Sequence, residues 1–484
     1  MECVIIYFRN INTESTSVME NKITSTRNYI LDLLESGKLK GGDKLPGARV
    51  IASSIKVSFV KIQQALDKLV QDGILETIPR QGTFVQRNWN TRILQTNFTL
   101  YKKNLPWADC FEELLADRIP QLRLCRKFPQ SVFELRTTID VQNNRNNYLD
   151  LQPVLDRIYP DKSLFFSHPF KNFYVDRKLV GIPFIFSPRV MFYNPKLLKK
   201  YGCSEPRLGW TWEEFIQSVR KMRARNIHGT EIFNWGTGMF LWINFIFRAG
   251  GCLISSSPSD PVAIDHPQTR YGLQLYTELL HELNISYDEV VSLGDNFDYI
   301  EQFTAGKLAF MVSVREALTD FRHAGFDDWQ TVPLPVIEGG ADITAQATDL
   351  ICVRKSCTDL ALVEKFVRFM LSEEAQDFIG MEKYGIPIRK SSAFKSIDTE
   401  SSRDMLFLSE TNKISAQYNI NSPELSSMIE EGIIRIWRDN LDLAQATGVL
   451  AQAIRLFLQI KQVPKKNTLI KNKEVRKNEE VCLV

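Results

Sequence analysis

The stretch "SFVKIQQALDKLVQDGILETIPRQGTFV" (58–85) contains a change of period that decides how the chain begins. Up to residue 70 the apolar positions Ile62, Ala65, Leu66, Leu69 and Val70 recur at helical spacing, the mark of an amphipathic helix with one buried face. Ser58 is suited to cap that helix and Gly73 to end it. Beyond Gly73 the pattern shortens. "LETI" (75–78) has strand character, Pro79 starts a turn, and "TFVQ" (83–86) reads as the returning strand. Gly82 supplies the positive φ that a tight connection needs. A small hairpin results, with Arg80 and Gln81 at its tip.

Upstream, "ARVIASSI" (48–55) is a short helical run with Val50, Ile51, Ala52 and Ile55 on one side. The turn Lys56 to Ser58 joins it to the longer helix. Further back, "NKITSTRNYILDLLESGKL" (21–39) forms an amphipathic helix through Ile23, Ile30, Leu33 and Leu34. Helix, short helix, turn, helix, hairpin is the order of a winged helix-turn-helix. Charge agrees. From Ser36 to Val70 there are seven Lys/Arg against two Asp, although the whole chain is only +3. A local basic patch is what phosphate binding requires, because neutralised phosphates release condensed counterions.

Residues 41–85 resemble the DNA-binding head of the GntR family of bacterial regulators. The Leu-Pro before the second helix, the Ala-Leu of the third, "DGIL" and "GTFV" stand in register. The resemblance implies DNA contacts from Arg49, Ser58, Phe59, Lys61 and Gln63. Gln63 and Gln64 match the paired donor and acceptor of adenine, and Phe59 the thymine methyl. The wing, Arg80, Gln81 and Gly82, would reach the minor groove or backbone. Three departures stand out: Lys56 replaces a customary glycine, Phe59 an arginine, and Gly47-Ala48 a Ser-Glu pair.

The remaining chain reads as a second, larger part. Its 484 residues suggest about three domains at roughly 150 residues each, and 44% apolar with 24% charged residues is ordinary globular composition. "MECVIIYFRN" has no basic run before its apolar residues, so no signal peptide is expected, and no stretch reads as a membrane span. A cytoplasmic protein is the expectation. Eight cysteines without Cys-x-x-Cys spacing and five dispersed histidines point to reduced thiols, with no metal and no cofactor. The domain reading is a head at 20–86, a polar linker at 87–92, an effector domain at 93–460, and a disordered charge-rich tail at 461–484.

Helical and strand patterns alternate through the effector region, the signature of an α/β architecture. From Lys178 to Phe394, and on to about Ile460, the series resembles the family 1 extracellular solute-binding proteins that deliver sugars to bacterial transporters. Its markers are "GIPF" (181–184), "FYNPKLLKKYG" (192–202), "TWEEF" (211–215), "AGG" (249–251), "FTAGKLAFMVS" (303–313), "PLP" (333–335) and "SEEAQDFI" (372–379). The implied fold is the type II periplasmic-binding-protein architecture: two α/β lobes joined by crossing strands, with ligand between them. Between Ile93 and Gly181 the first lobe looks abbreviated. Sugar sites need flat apolar surfaces for the ring and polar groups for hydroxyls. The resemblance places Trp107, Phe186, Trp235, Trp242 and Tyr384 along the cleft, with Arg315 after one buried strand and Asp349 before another as polar contacts. Trp242, on an apolar helix, fits a core position as well as a ligand platform.

The sequence therefore reads as a transcription regulator and not an enzyme: a homodimer whose heads hold double-stranded operator DNA and whose effector domains sense a mono- or oligosaccharide. A pyridoxal-phosphate aminotransferase fused to the same head would need a cofactor lysine on a strand-to-helix turn with Asp and Arg partners. The solute-binding markers quoted above occupy the region such a segment would need. A third reading keeps the effector domain only as a dimerisation unit.

Overall fold

The computed structural model describes residues 14–102, 105, 107–125, 131–175, 177–224, 239–255, 257, 259–284, 286, 299–416, 420 and 422–462. The tail beyond 462 and Trp235 lie outside the described residues.

The head forms as its periodicity dictates. Helices α1 (Glu14–Glu35), α2 (Ala48–Ile55) and α3 (Phe59–Gln71) precede the hairpin of β1 (Leu75–Ile78) and β2 (Gly82–Val85). Ile30, Leu31, Leu34, Ile51, Ile62, Leu66, Leu69, Leu75 and Val85 close into one core. Val50, expected on the inner side of α2, faces outward instead. Gly73 adopts φ +69, and Ile74 N–H donates to the Leu69 carbonyl, which ends α3 as expected. Lys56, standing where the resemblance has glycine, carries the left-handed φ of 54° that ends α2. Strain is thus built into the helix-turn-helix corner.

The hairpin pairs Leu75 with Val85 through Ile78 with Gly82. Gln81 N–H closes its turn onto the Ile78 carbonyl at 3.0 Å. Gly82 has φ +117, and Arg80 also sits at positive φ, 65°. A third segment completes the wing: Lys44 bridges Phe84, and Leu45 N–H reaches the Thr83 carbonyl.

The expected linker is not a tether. Residues Trp89–Ile93 form helix α4, and Ile93 is buried in the head core. Polar residues 86–92 gave no sign of this, because one apolar anchor fixes the segment.

In chain order the following strands are β3 (Asn97–Leu100), β4 (Arg123–Cys125), β5 (Phe133–Thr137), β6 (Tyr174–Val175), β7 (Lys178–Leu179), β8 (Ile182–Pro188), β9 (Val190–Tyr193), β10 (Phe310–Ser313), β11 (Gln330–Val332), β12 (Thr344–Val353), β13 (Ile386–Pro387) and β14 (Ile414–Ser415). A seven-stranded sheet runs β13-β8-β12-β5-β3-β4, with β14 beside β12. Here β3 is parallel to β4 and β5, while β12 is antiparallel to β5 and β8. A second sheet runs β10-β9-β11. Every residue of β8 is buried, as a strand covered on both faces must be. The chain crosses from one sheet to the other at Arg189, between β8 and β9. In β9, Val190 and Phe192 enter one core while Met191 and Tyr193 enter the other, the alternation a period of two imposes. The apolar helix Met239–Arg248 braces the start of β12, where Asn244 Oδ1 accepts from Ala345 N–H at 2.8 Å.

The last helix, Leu443–Gln462, runs past the expected domain end. Its Leu443–Lys461 portion is long and apolar enough to cross a membrane by length and composition, contrary to the sequence expectation. Its inner residues Leu450, Ala451 and Ile454 nevertheless belong to the second core.

Head and first lobe are clamped together. Arg123, the first residue of β4, is buried and spans to α1: it donates to Glu35 at 2.5 and 3.2 Å and to Asp32 at 2.7 Å. From the other side, buried Arg27 of α1 donates to the Gln121 carbonyl at 3.1 Å and to Thr96 Oγ1 at 3.3 Å, and pairs with Asp72 at 3.6 Å. The helix Ala108–Arg118 packs against α1.

Candidate nucleic-acid interface and interlobe cleft

On α3 the positions Ile62, Ala65, Leu66 and Leu69 turn inward, which leaves Val60, Gln63, Gln64 and Asp67 on the opposite face. Phe59 and Val60 at its first turn are 50% and 61% exposed. Large apolar side chains this open at a helix start fit the methyl-lined edge of thymine. Val50 read as core-facing in the sequence and Val60 was not singled out there; only the helix orientation reveals both.

Ser58 occupies the N-cap of α3, yet its hydroxyl makes no capping bond, and it stays exposed for a phosphate or base. Arg49 is exposed and Lys61 half-buried. Gln64 is exposed, while the Gln63 amide donates to Asp67 at 3.0 Å, so reading adenine requires that bond to be exchanged. Arg80 and Gln81 project at the wing tip, and the Lys44 side chain lies so close to Gly82 that a Cβ there would meet its Cε at 2.9 Å. Lys44 thereby joins the wing, an addition no local motif announced.

The effector residues fare differently. Trp107, Phe186, Trp242 and Tyr384 are buried in the cores rather than lining the cleft. Trp107 packs edge-on against Phe111 and tilted against Tyr384. Phe186 meets Phe166 edge-on, and Trp242 meets Trp437 at 5.8 Å. Burial of such large apolar rings outweighs their use as an open platform. Arg315 is also corrected. It is 0% exposed, with its guanidinium held by Asp404 at 2.8 and 3.0 Å and by the Gly385 and Ser396 carbonyls. These bonds use the planar fork to join the turn after β10 to the helix Ser402–Ser409. It is a structural clamp.

Asp349 lies inside β12 rather than before it, paired with Thr137 of β5 and Ile185 of β8. It shares a hydrogen bond with Tyr101, one residue beyond β3, and feels the charge of Glu316, which precedes the helix Ala317–Ala324. Tyr101, Asp349 and Glu316 are half-buried and so retain access to solvent. The carboxyl ends of β3, β5 and β10 thus converge on one polar cluster, the end of α/β strands at which ligands bind. Burial, reinforced by the Glu316 charge, pushes the Asp349 carboxyl up to about 8. Burial also raises Glu316, against the pull of Lys102, and raises Tyr101. At neutral pH Asp349 is a hydrogen-bond donor, so the cluster offers both donors and acceptors to a hydroxylated solute. Tyr101, Lys102 and Glu316 were not read from the sequence, since they come from separate segments. An apolar cavity of about 30 Å³ beside Met191, Phe215 and Val312 has room for about two waters, not for a sugar ring. Among the described residues no group of three His, Cys, Asp or Glu is placed to hold a metal.

Residues 23–85 match the bacterial regulatory proteins of the gntR family, and residues 140–377 match the bacterial extracellular solute-binding proteins. The chain is 31% identical over 91 residues to the HTH-type transcriptional repressor YtrA of Bacillus subtilis (strain 168), covering 19% of this chain and 67% of that protein. It is 33% identical over 89 residues to the mannosyl-D-glycerate transport/metabolism system repressor MngR of Escherichia coli (strain K12), covering 18% of this chain and only 32% of that protein. Among solved structures, maltose-bound MalE3 of T. maritima superimposes with a TM-score of 0.61 at 18% identity, over 75% of this chain and 99% of the other. The sugar-binding protein MalE of Xanthomonas citri gives 0.60 at 17% identity, over 76% and 98%. At such identities these structures establish the fold of the second part.

Proposed function

Because the chain belongs to the gntR family of bacterial regulatory proteins and carries a bacterial extracellular solute-binding domain, we propose that it is a cytoplasmic transcription regulator that senses a mono- or oligosaccharide. Operator DNA is held by Arg49, Ser58, Phe59, Lys61, Gln63 and Gln64, with Arg80, Gln81 and Gly82 on the wing. The solute binds where Tyr101, Asp349 and Glu316 converge, with Trp235 as the remaining aromatic candidate.

The observation that carries this reading is the buried clamp between α1 and β4. It joins the head directly to the sheet whose strand ends carry the polar cluster. A lobe that shifts as solute binds takes the head with it, and this changes how two heads meet half-sites about one helical turn apart.

The test has two parts. Thermal shift of the full chain against a sugar panel should reveal stabilisation that grows as RT ln(1 + [L]/Kd). Operator affinity with and without the bound sugar should then differ by about 5- to 150-fold, and sugar affinity should differ by the same factor with and without operator. A sugar that binds tightly and shifts neither equilibrium refutes the sensing mechanism.

A second reading has its own support. Burial of Trp107, Phe186, Trp242 and Tyr384 removes four of the expected aromatic contacts. This favours an effector domain that only joins copies of the chain. A sugar panel that stabilises nothing decides for it.

A further inference from the structure

Among the described residues the last helix, Leu443–Gln462, is the one helix long and apolar enough, by length and composition, to cross a membrane. Few of its residues are nevertheless buried: Thr447, Leu450, Ala451 and Ile454 face its own lobe, and much of the rest lies open. Its outward residues Val449, Ala453, Leu456 and Ile460 alternate in steps of four and three, and Ala446, half-buried against the second core, extends this seven-residue repeat by one step. Val449, Leu456 and Ile460 are 62%, 57% and 64% exposed. Beside this seam runs a row of exposed amides, Gln445, Gln452 and Gln459, seven residues apart.

The helix carries two charged side chains, and both turn back onto their own lobe. Arg455 pairs with Asp260 and Asp265 at 2.8 and 3.0 Å, and Lys461 with Glu424 at 3.3 Å. The outer face is therefore a neutral apolar seam edged by amides.

We infer that this seam is the homodimer contact, formed by the same helix of a second copy lying antiparallel across a twofold axis near Gln452. Such an axis brings each surface against itself, and a face without charge meets itself without repulsion. Antiparallel packing sets Ala446 of one copy beside Leu456 of the other and Ala453 beside Val449, small against large, as interlocking side chains require. The other flank of the seam, Thr447 and Ile454, is already buried in its own lobe, so only the glutamine row is left to face the partner. Helices that lie on lipid carry lysine and arginine beside their apolar stripe; here that place is held by amides, so a second copy fits better than a membrane surface.

From Ala446 to Ile460 the seam is about 21 Å long at 1.5 Å per residue. That is small for a permanent interface and predicts association on the order of micromolar. The inference rests on this helix and not on ligand sensing; it supplies the pairing that lets a chain with one recognition helix address two half-sites.

Sedimentation velocity of the full chain, without sugar or DNA, tests it over about 0.1 to 100 μM. The wild type should pass from monomer to dimer. Leu456→Lys should raise the dimer Kd by about 30-fold or more. Gln452→Glu and Gln452→Lys, both at an exposed position, should each weaken the dimer about tenfold by setting like charges across the axis. An equimolar mixture of these two variants should regain wild-type association. A wild type that stays monomeric overturns the inference, as does a dimer indifferent to Leu456→Lys or a mixture no tighter than its parts. Sedimentation of the monomer with anionic vesicles instead assigns the face to lipid and equally overturns it.

Discussion

Replacing Arg123 with alanine should release the head from the effector domain. In the folded chain its side chain is 7% exposed and that of Glu35 only 1%, so the variant leaves a carboxylate buried without its cation. Breaking a buried pair in this way costs about 3–5 kcal/mol. The bond to Asp32 adds little, because that carboxylate is 51% exposed. A loss of 3–5 kcal/mol lowers the ratio of docked to undocked head by roughly 150- to 5,000-fold. For a domain of this head's size each kcal/mol moves the melting temperature by about 4–8 °C. Calorimetry of the full chain should therefore show the head melting separately, at least about 12 °C below the wild type. The double variant Arg123→Met with Glu35→Leu removes both charges and should recover most of the loss, since an apolar pair tolerates the same burial. A single variant whose head melts within about 2 °C of wild type would refute the clamp. So would a double variant no better than the single one, because the defect would then come from lost packing and not from the stranded carboxylate.

Lys56→Gly should stabilise the head by about 1 kcal/mol, since the left-handed φ of 54° burdens lysine and not glycine; denaturant unfolding of the head checks this, and destabilisation would contradict the strain. The Asp349 carboxyl keeps its proton in the folded chain up to about pH 8 but releases it near 4 when unfolded. The native state then binds the extra proton between those values, so stability should fall as pH rises across that window. Asp349→Asn should flatten the fall, and melting temperatures from pH 5 to 8 that decline equally in both chains would place the titration elsewhere. Arg49→Ala and Lys61→Ala should weaken operator binding, and each lost phosphate contact should reduce the slope of log K against log salt by about one. Unchanged affinity in both, by anisotropy titration, would remove them from the interface.

The sequence was sufficient wherever structure follows from local period and local conformation. Ile62, Ala65, Leu66 and Leu69 face inward because helical spacing leaves them no other common side. Gly73 and Gly82 turn the chain at positive φ where the pattern requires it. The two parts of the chain were legible for the same reason, as ordered runs of such patterns. What a side chain does at long range was not legible. An aromatic ring reads the same whether it will face a cleft or a core, and Trp107 and Trp242 went to the core because helices and strands distant in sequence closed over them. Arg315 looked like a free cation until Asp404, 89 residues later, folded against it. Tyr101, Glu316 and Asp349 come together only when the ends of β3 and β10 meet the middle of β12. Burial and charge pairing depend on which segments meet in space, and only the tertiary fold decides that.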